Sequence, residues 1–309
     1  MARLSAPHPG RHSNRRRQSL IFLLVCAVAL FGLFVWIQGW HDENAQASLL
    51  AGIIGLCLGS FANVVIWRLP VMLALATDST NLPMDSKKPI LSLAHPPSSC
   101  PRCGTRIAVW ENVPVISYCC LKGRCSTCRN SISWRYPIVE AWMGASFAGL
   151  AWLIGPTFHF FAVAMVVWLL TVLFLIDWDT QYLPDALTQP LLWLGLMANA
   201  IGLWVPLDHA LFGAIAGYWT FWLIAAIYKR VSGQDGMGEG DYKLCAALCA
   251  WLGLAALPWL MAIAAISSVA VTTVLVFSGR STWRDPQAFG PHLIIAGTIY
   301  QIAILAPAW

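Results

Sequence analysis

Apolar runs of about 20 residues recur along this chain from residue 19 to its C-terminal end, and each is long enough to cross a bilayer. Lipid offers a backbone no hydrogen-bond partners, so a spanning segment must be a helix or part of a closed barrel. The alternating apolar and polar strands of a barrel are absent. Charged residues make up 11% of the chain, against about 25% in soluble domains. The sequence therefore predicts an all-α, polytopic transmembrane helical bundle of about nine spans, near 19–40, 48–68, 138–155, 157–176, 189–205, 209–228, 242–257, 259–278 and 290–307.

The first run follows Arg15-Arg16-Arg17 and could be read as a signal peptide. Its 22 residues and the absence of a clean small-residue cleavage site favour a retained helix, Ala45-Gln46-Ala47 being a weak candidate for cleavage. Basic residues set the topology. With a cytoplasmic N-terminus, all 19 Lys and Arg residues fall on the cytoplasmic side or at its membrane edge. The net charge of +5 then reports orientation and does not point to nucleic acid.

Residues 69–137 form the one sizeable segment outside the apolar runs, placed in the cytoplasm by this topology. It carries Cys100-Pro-Arg-Cys103 and Cys125-Ser-Thr-Cys128, with 21 residues between the pairs. Two such pairs can hold one tetrahedral Zn²⁺ through four thiolates. Two disulfides are the alternative, disfavoured in a reducing compartment. Pro101, Gly104 and Gly123 suit the tight turns of metal knuckles. A loop this poor in apolar residues would draw its folding energy from the metal. Cys119 and Cys120 form no such pair, and Cys26, Cys57, Cys245 and Cys249 lie in apolar runs.

Ionisable groups at membrane depth are costly and start as functional hypotheses. Asp177 closes the apolar run that begins at Trp168, and Asp241 follows the glycine-rich turn Gly236-Met-Gly-Glu-Gly240. Two carboxylates brought together can share a proton and activate water. Asp179, Asp185 and Glu239 compete for such a role. Asp185 reads as a helix N-cap, Asp179 as solvated and Glu239 as part of a flexible turn, while Asp241 could cap a helix beginning at Tyr242. Asp177 and Asp241 lie 64 positions apart, so local spacing cannot join them.

Taken in order, these segments resemble one known family. They are Gly59-Ser-Phe-Ala-Asn-Val-Val-Ile-Trp-Arg-Leu-Pro70, the two cysteine pairs, Trp110-Glu-Asn-Val-Pro-Val-Ile-Ser-Tyr118 and Ile132-Ser-Trp-Arg-Tyr-Pro-Ile-Val-Glu140. Leu175-Ile-Asp-Trp-Asp179, Leu183-Pro-Asp185, Gly238-Glu-Gly-Asp-Tyr-Lys243 and Phe289-Gly-Pro-His292 follow. The chain is similar to the bacterial prepilin leader peptidases/N-methyltransferases, intramembrane aspartic peptidases with a GxGD motif.

That resemblance implies Asp177 and Asp241 as the catalytic pair, with Cys100, Cys103, Cys125 and Cys128 as structural zinc ligands. It implies cleavage of type IV prepilin or type II secretion pseudopilin leaders at the cytoplasmic face of the bacterial inner membrane. S-adenosylmethionine-dependent methylation of the new N-terminus follows, although no residues are assigned to that cofactor. It also divides the chain into an extension with an extra helix (1–47), a first family helix (48–68), the zinc loop (69–137) and a polytopic peptidase domain (138–309). His292 stands where tyrosine is common. A peptidase without methyl transfer is the nearest alternative, because no glycine-rich methyl-donor motif is readable. An ion-coupled transporter is the alternative from another class, and it would scatter polar residues along several spans.

Overall fold

The structure is a computed structural model that describes residues 45–78, 91–234, 236–282, 285 and 287–305. The expected span at 19–40 and Cys26 lie outside these residues, as do 79–90 of the long loop. The described chain is helical, and its only extended pairings are two isolated bridges, Ser99 with Arg106 and Arg124 with Ser131. The helices are α1 Ala45–Asp78, a short α2 Ile116–Cys120, α3 Arg135–Ile154, α4 Phe158–Thr180 and α5 Asp185–Ala200. They continue with α6 Leu207–Ser232, α7 Glu239–Leu252, α8 Leu257–Phe277 and α9 Gly290–Leu305.

Five of these are long and apolar enough to cross a membrane: α1, α3, α4, α6, and α8 with the turn before it. Three further helices are shorter, with 16 residues in α5, 14 in α7 and 16 in α9. At 1.5 Å per residue they reach only about 21–24 Å, less than a hydrocarbon core of about 30 Å. α1 runs further than the expected 48–68, passing through Pro70 to Asp78.

The chain forms two compact units, Met1–Val65 with Lys88–Ala164, and Ile66–Lys87 with Met165–Trp309. In the first, α1 and α3 pack backbone to backbone. A side chain on Gly59 would stand 2.7 Å from the Glu140 Cα, so the approach requires glycine. Polar bonds reinforce this seam. Ser48 Oγ donates to the Ala148 carbonyl at 2.8 Å, and Asn63 Nδ2 donates to the Tyr136 carbonyl at 3.2 Å.

In the second unit α7 is the centre. It packs against α5, α6 and α9, and its residues from Leu244 to Leu252 are all buried. Ala246, Ala247 and Ala250 keep it slim, and Gly217 of α6 lies so close that a Cβ there would meet the Cys245 carbonyl at 3.2 Å. Enclosure on several sides accounts for a buried helix of 14 residues with apolar groups all round. Asn199 closes one end of this core. Its amide donates to the Ala250 carbonyl at 2.8 Å, and its oxygen accepts from the Trp204 and Val205 amides.

Candidate functional site

Two aspartates enter the second unit from helix ends. α4 stops just beyond Asp177 because Gln181 turns left-handed at φ 54°, its N–H donating to the Asp177 carbonyl at 2.8 Å. Glycine is the usual residue for that conformation, and a side chain there costs roughly 1 kcal/mol. The turn swings Leu183 and Pro184 inward, where both are buried. α7 starts at Glu239 after Gly238, so Asp241 is the third residue of the helix and not its cap. Its backbone N–H donates to the Gly238 carbonyl at 3.1 Å.

This local folding buries both carboxyl groups, Asp177 at 4% exposure and Asp241 at 9%. They stand near enough for the charge of Asp177 to act on Asp241. Asp177 Oδ2 is buried without a hydrogen-bond partner, and so is the neighbouring Trp178 Nε1. A buried unpaired acceptor costs about 1–3 kcal/mol and calls for a role. Leu183 packs between the backbones beside the two acids. A Cβ on Gly240 would fall 2.7 Å from Leu183 Cβ, and one on Gly290 would fall 3.1 Å from Leu183 Cδ1 and 2.5 Å from Asp177 Oδ2.

The competing acids occupy other environments. Asp179 and Glu239 are exposed. Asp185 is the first residue of α5 and makes no cap bond, Pro184 holding the cap position. Its carboxylate instead accepts two bonds from Lys243 Nζ, at 2.8 and 2.9 Å. The N-cap reading of Asp185 therefore fails, because its carboxylate is held by a cation on α7.

In the first unit the four cysteines Cys100, Cys103, Cys125 and Cys128 converge, their sulfur atoms all within 4.8 Å of one another. The two knuckles repeat one bonding pattern. The Cys100 N–H donates to the Thr105 carbonyl and the Gly104 N–H to the Cys100 carbonyl, both at 2.9 Å. The Cys125 N–H donates to Asn130 at 2.9 Å and the Arg129 N–H to Cys125 at 3.0 Å. Gly104 and Arg129 occupy the same left-handed position, at φ 71° and 57°. Arg102 Nη1 ties the knuckles by donating to Asn130 Oδ1 at 2.9 Å.

This cluster could hold a metal ion. Zn–S bonds of about 2.3 Å set tetrahedral sulfur pairs roughly 3.8 Å apart, and Cys100 Sγ lies 3.7 Å from Cys128 Sγ. No disulfide joins the described cysteines. Hydrogen bonding with the Thr105 hydroxyl and backbone lowers the Cys103 thiol to about 6, towards the thiolate a metal needs. Cys119 and Cys120 stand outside the cluster.

One structural acid had no local signal beyond its place in a motif. Glu140 on α3 is buried, and its Oε2 accepts from the Val115 N–H at 2.8 Å. Val115 itself sits in a tight turn at φ 60° and ψ −49°. The carboxylate thus fastens the loop between the knuckles to a helix.

Residues 53–154 match the model of the bacterial peptidase A24 N-terminal domain, and residues 164–276 match that of the type IV leader peptidase family. A prepilin leader peptidase/N-methyltransferase of Neisseria gonorrhoeae is 44% identical over 257 residues, covering 81% of this chain and 88% of the relative. This chain belongs to the prepilin leader peptidase/N-methyltransferase family. Relatives of the same name from Pseudomonas aeruginosa (42% over 252 residues, 80% of this chain and 87% of the relative) and Dickeya chrysanthemi (39% over 264, 83% and 93%) agree. No solved structure matches. As a family member the chain shares both matched regions, one containing the cysteine cluster and the other the two buried aspartates.

Proposed function

We propose that this leader peptidase and N-methyltransferase cuts prepilins or pseudopilins with Asp177 and Asp241, then methylates the new N-terminal residue. The observation carrying the assignment is the buried pair itself, two acids at helix ends on either side of Leu183, one of which has an oxygen without a hydrogen-bond partner. Adjacent carboxylates share a proton. The ionised partner takes a proton from water as the oxygen attacks the scissile carbonyl carbon, and the protonated partner donates to the carbonyl oxygen. The proton gained by the first is then available to the departing amine. Burial excludes bulk water and strengthens each of these interactions.

The four cysteines fit zinc in a structural role, closing the coordination shell with thiolates and leaving no open position for chemistry. Held metal would fold the loop, and Glu140 would anchor it. S-adenosylmethionine supplies the methyl group in this reading. No strand and glycine-rich loop of the common methyl-donor fold stands among the described residues, so no residue is assigned to it.

The reading places all nine apolar runs in the bacterial inner membrane, with the N-terminus and the zinc loop cytoplasmic. Residues 1–47 then form an extension, 48–68 the first family helix, 69–137 the zinc loop and 138–309 the peptidase domain. α5, α7 and α9 would reach across only by local bilayer thinning or with their flanking turns. Clustering of the buried acids at helix ends supports a peptidase over a transporter. The test is mass spectrometry of a prepilin incubated with purified enzyme and S-adenosylmethionine. Cleavage together with an added methyl supports the full reading. Cleavage without methylation leaves a peptidase alone, and an intact prepilin overturns both.

A further inference from the structure

The corner Phe289–His292 lies outside the catalytic pair, yet its backbone reaches Asp177. Gly290 opens α9, and its amide faces the Asp177 carboxyl group. No side chain fits between them, since a Cβ on Gly290 would stand 2.5 Å from Oδ2 and 3.2 Å from Cγ of Asp177. Two residues on, His292 is 4% exposed. Its Nδ1 lies 3.1 Å from Ser267 Oγ on α8. Ser267 also directs its hydroxyl to the Ala264 carbonyl at 3.1 Å. A hydroxyl has one proton to give. Ser267 Oγ and His292 Nδ1 thus share a hydrogen bond in which the imidazole tautomer decides the donor. The His292 amide in turn donates to the Phe289 carbonyl at 3.0 Å, and the Phe289 ring packs against Phe221 of α6.

We infer that His292 and Ser267 are positioning residues for cleavage. Their hydrogen bond pins the start of α9 to α8, and so fixes the Gly290 backbone against Asp177. Pinning matters because the Gly290 amide is the polar group set against the Asp177 carboxyl, whose buried Oδ2 has no other hydrogen-bond partner. Its direction is set by the walls around it, and Gly290 is one of them. A small drift of that wall would let the carboxyl group rotate away from the attacking water, and a misplacement of about 1 Å at a reacting centre can cost 100-fold in rate. The inference rests on Asp177 being catalytic.

The experiment measures kcat and KM for prepilin cleavage by the full-length enzyme in lipid, with methyl transfer to pre-cleaved pilin as a second readout. Ser267→Ala and His292→Leu are expected to lower kcat about tenfold with KM and methyl transfer retained, a smaller loss than a full ångström of misplacement. Ser267→Thr keeps the hydroxyl, and His292→Asn can present an amide N–H near the Nδ1 position, so each should recover most of the rate. A merely structural role would instead lower methyl transfer along with cleavage, and that result overturns the inference. So does full kcat in both disrupting variants while Asp177→Asn is inactive, an outcome that leaves the catalytic assignment standing. Full activity of Asp177→Asn would remove that assignment and this inference together.

Discussion

Lys243 and Asp185 form a bidentate ion pair, Nζ lying 2.8 and 2.9 Å from the two carboxylate oxygens. The pair joins the first turn of α5 to α7 two residues after Asp241. Both side chains keep some exposure, 23% and 59%, and pairs of that kind contribute about 0.2–1 kcal/mol. Asp185→Asn should therefore lower the melting temperature slightly and reduce cleavage only a few-fold. A complete loss of cleavage with unchanged stability would give Asp185 a part in the chemistry.

Asp177→Asn and Asp241→Asn should each abolish cleavage, since an amide can neither take nor give the proton. The exposed neighbours Asp179 and Glu239 should tolerate Asn and Gln with milder effects. Rates of prepilin processing by the four purified variants check this ordering. An inactive Asp179→Asn beside an active Asp177→Asn would move the first carboxylate two places along the chain.

Metal analysis should find about one zinc per chain, the number that four thiolates hold. Ser at Cys100, Cys103, Cys125 or Cys128 should release it and expose the loop to protease. Cys119→Ser and Cys120→Ser should keep it, because both lie outside the cluster. Retention of zinc by a Cys100/Cys103 double-Ser variant would refute the site.

Gly240→Ala should depress cleavage strongly, because its new Cβ would meet Leu183 Cβ at 2.7 Å. Adding Leu183→Ala should not restore the rate, since alanine keeps the atom in the way. Steady-state cleavage by the single and double variants decides it, and rescue would show that the longer branches of Leu183 make the conflict.

Glu140→Gln should be mild and Glu140→Leu damaging. Gln keeps an oxygen for the Val115 amide, 2.8 Å away from the present acceptor, whereas Leu leaves that amide without its acceptor, at a cost of about 1–3 kcal/mol if it stays buried. Limited proteolysis of residues 91–134 reports the difference as faster cutting in the Leu variant alone.

The helices and the cysteine knuckles were legible along the chain because their signals are local. A run such as Trp168–Ile176 declares a helix by length and apolarity, and the spacing of Cys100 with Cys103 declares a metal turn. Some helix boundaries carry no such local signal. α1 passes through Pro70, although a proline there forfeits a helical bond and crowds the carbonyl one turn earlier, and α7 begins at Glu239, because Gly238 supplies the cap. The aspartates could be named as candidates from their places beside apolar runs, and the resemblance paired them. Their meeting was settled by folding: the left-handed Gln181, the wedge of Leu183 and the close glycines Gly240 and Gly290 belong to segments far apart in sequence. The roles of Glu140, Ser267 and His292 were equally hidden, because a polar residue acquires its partner only when the backbone of another element arrives within hydrogen-bond reach.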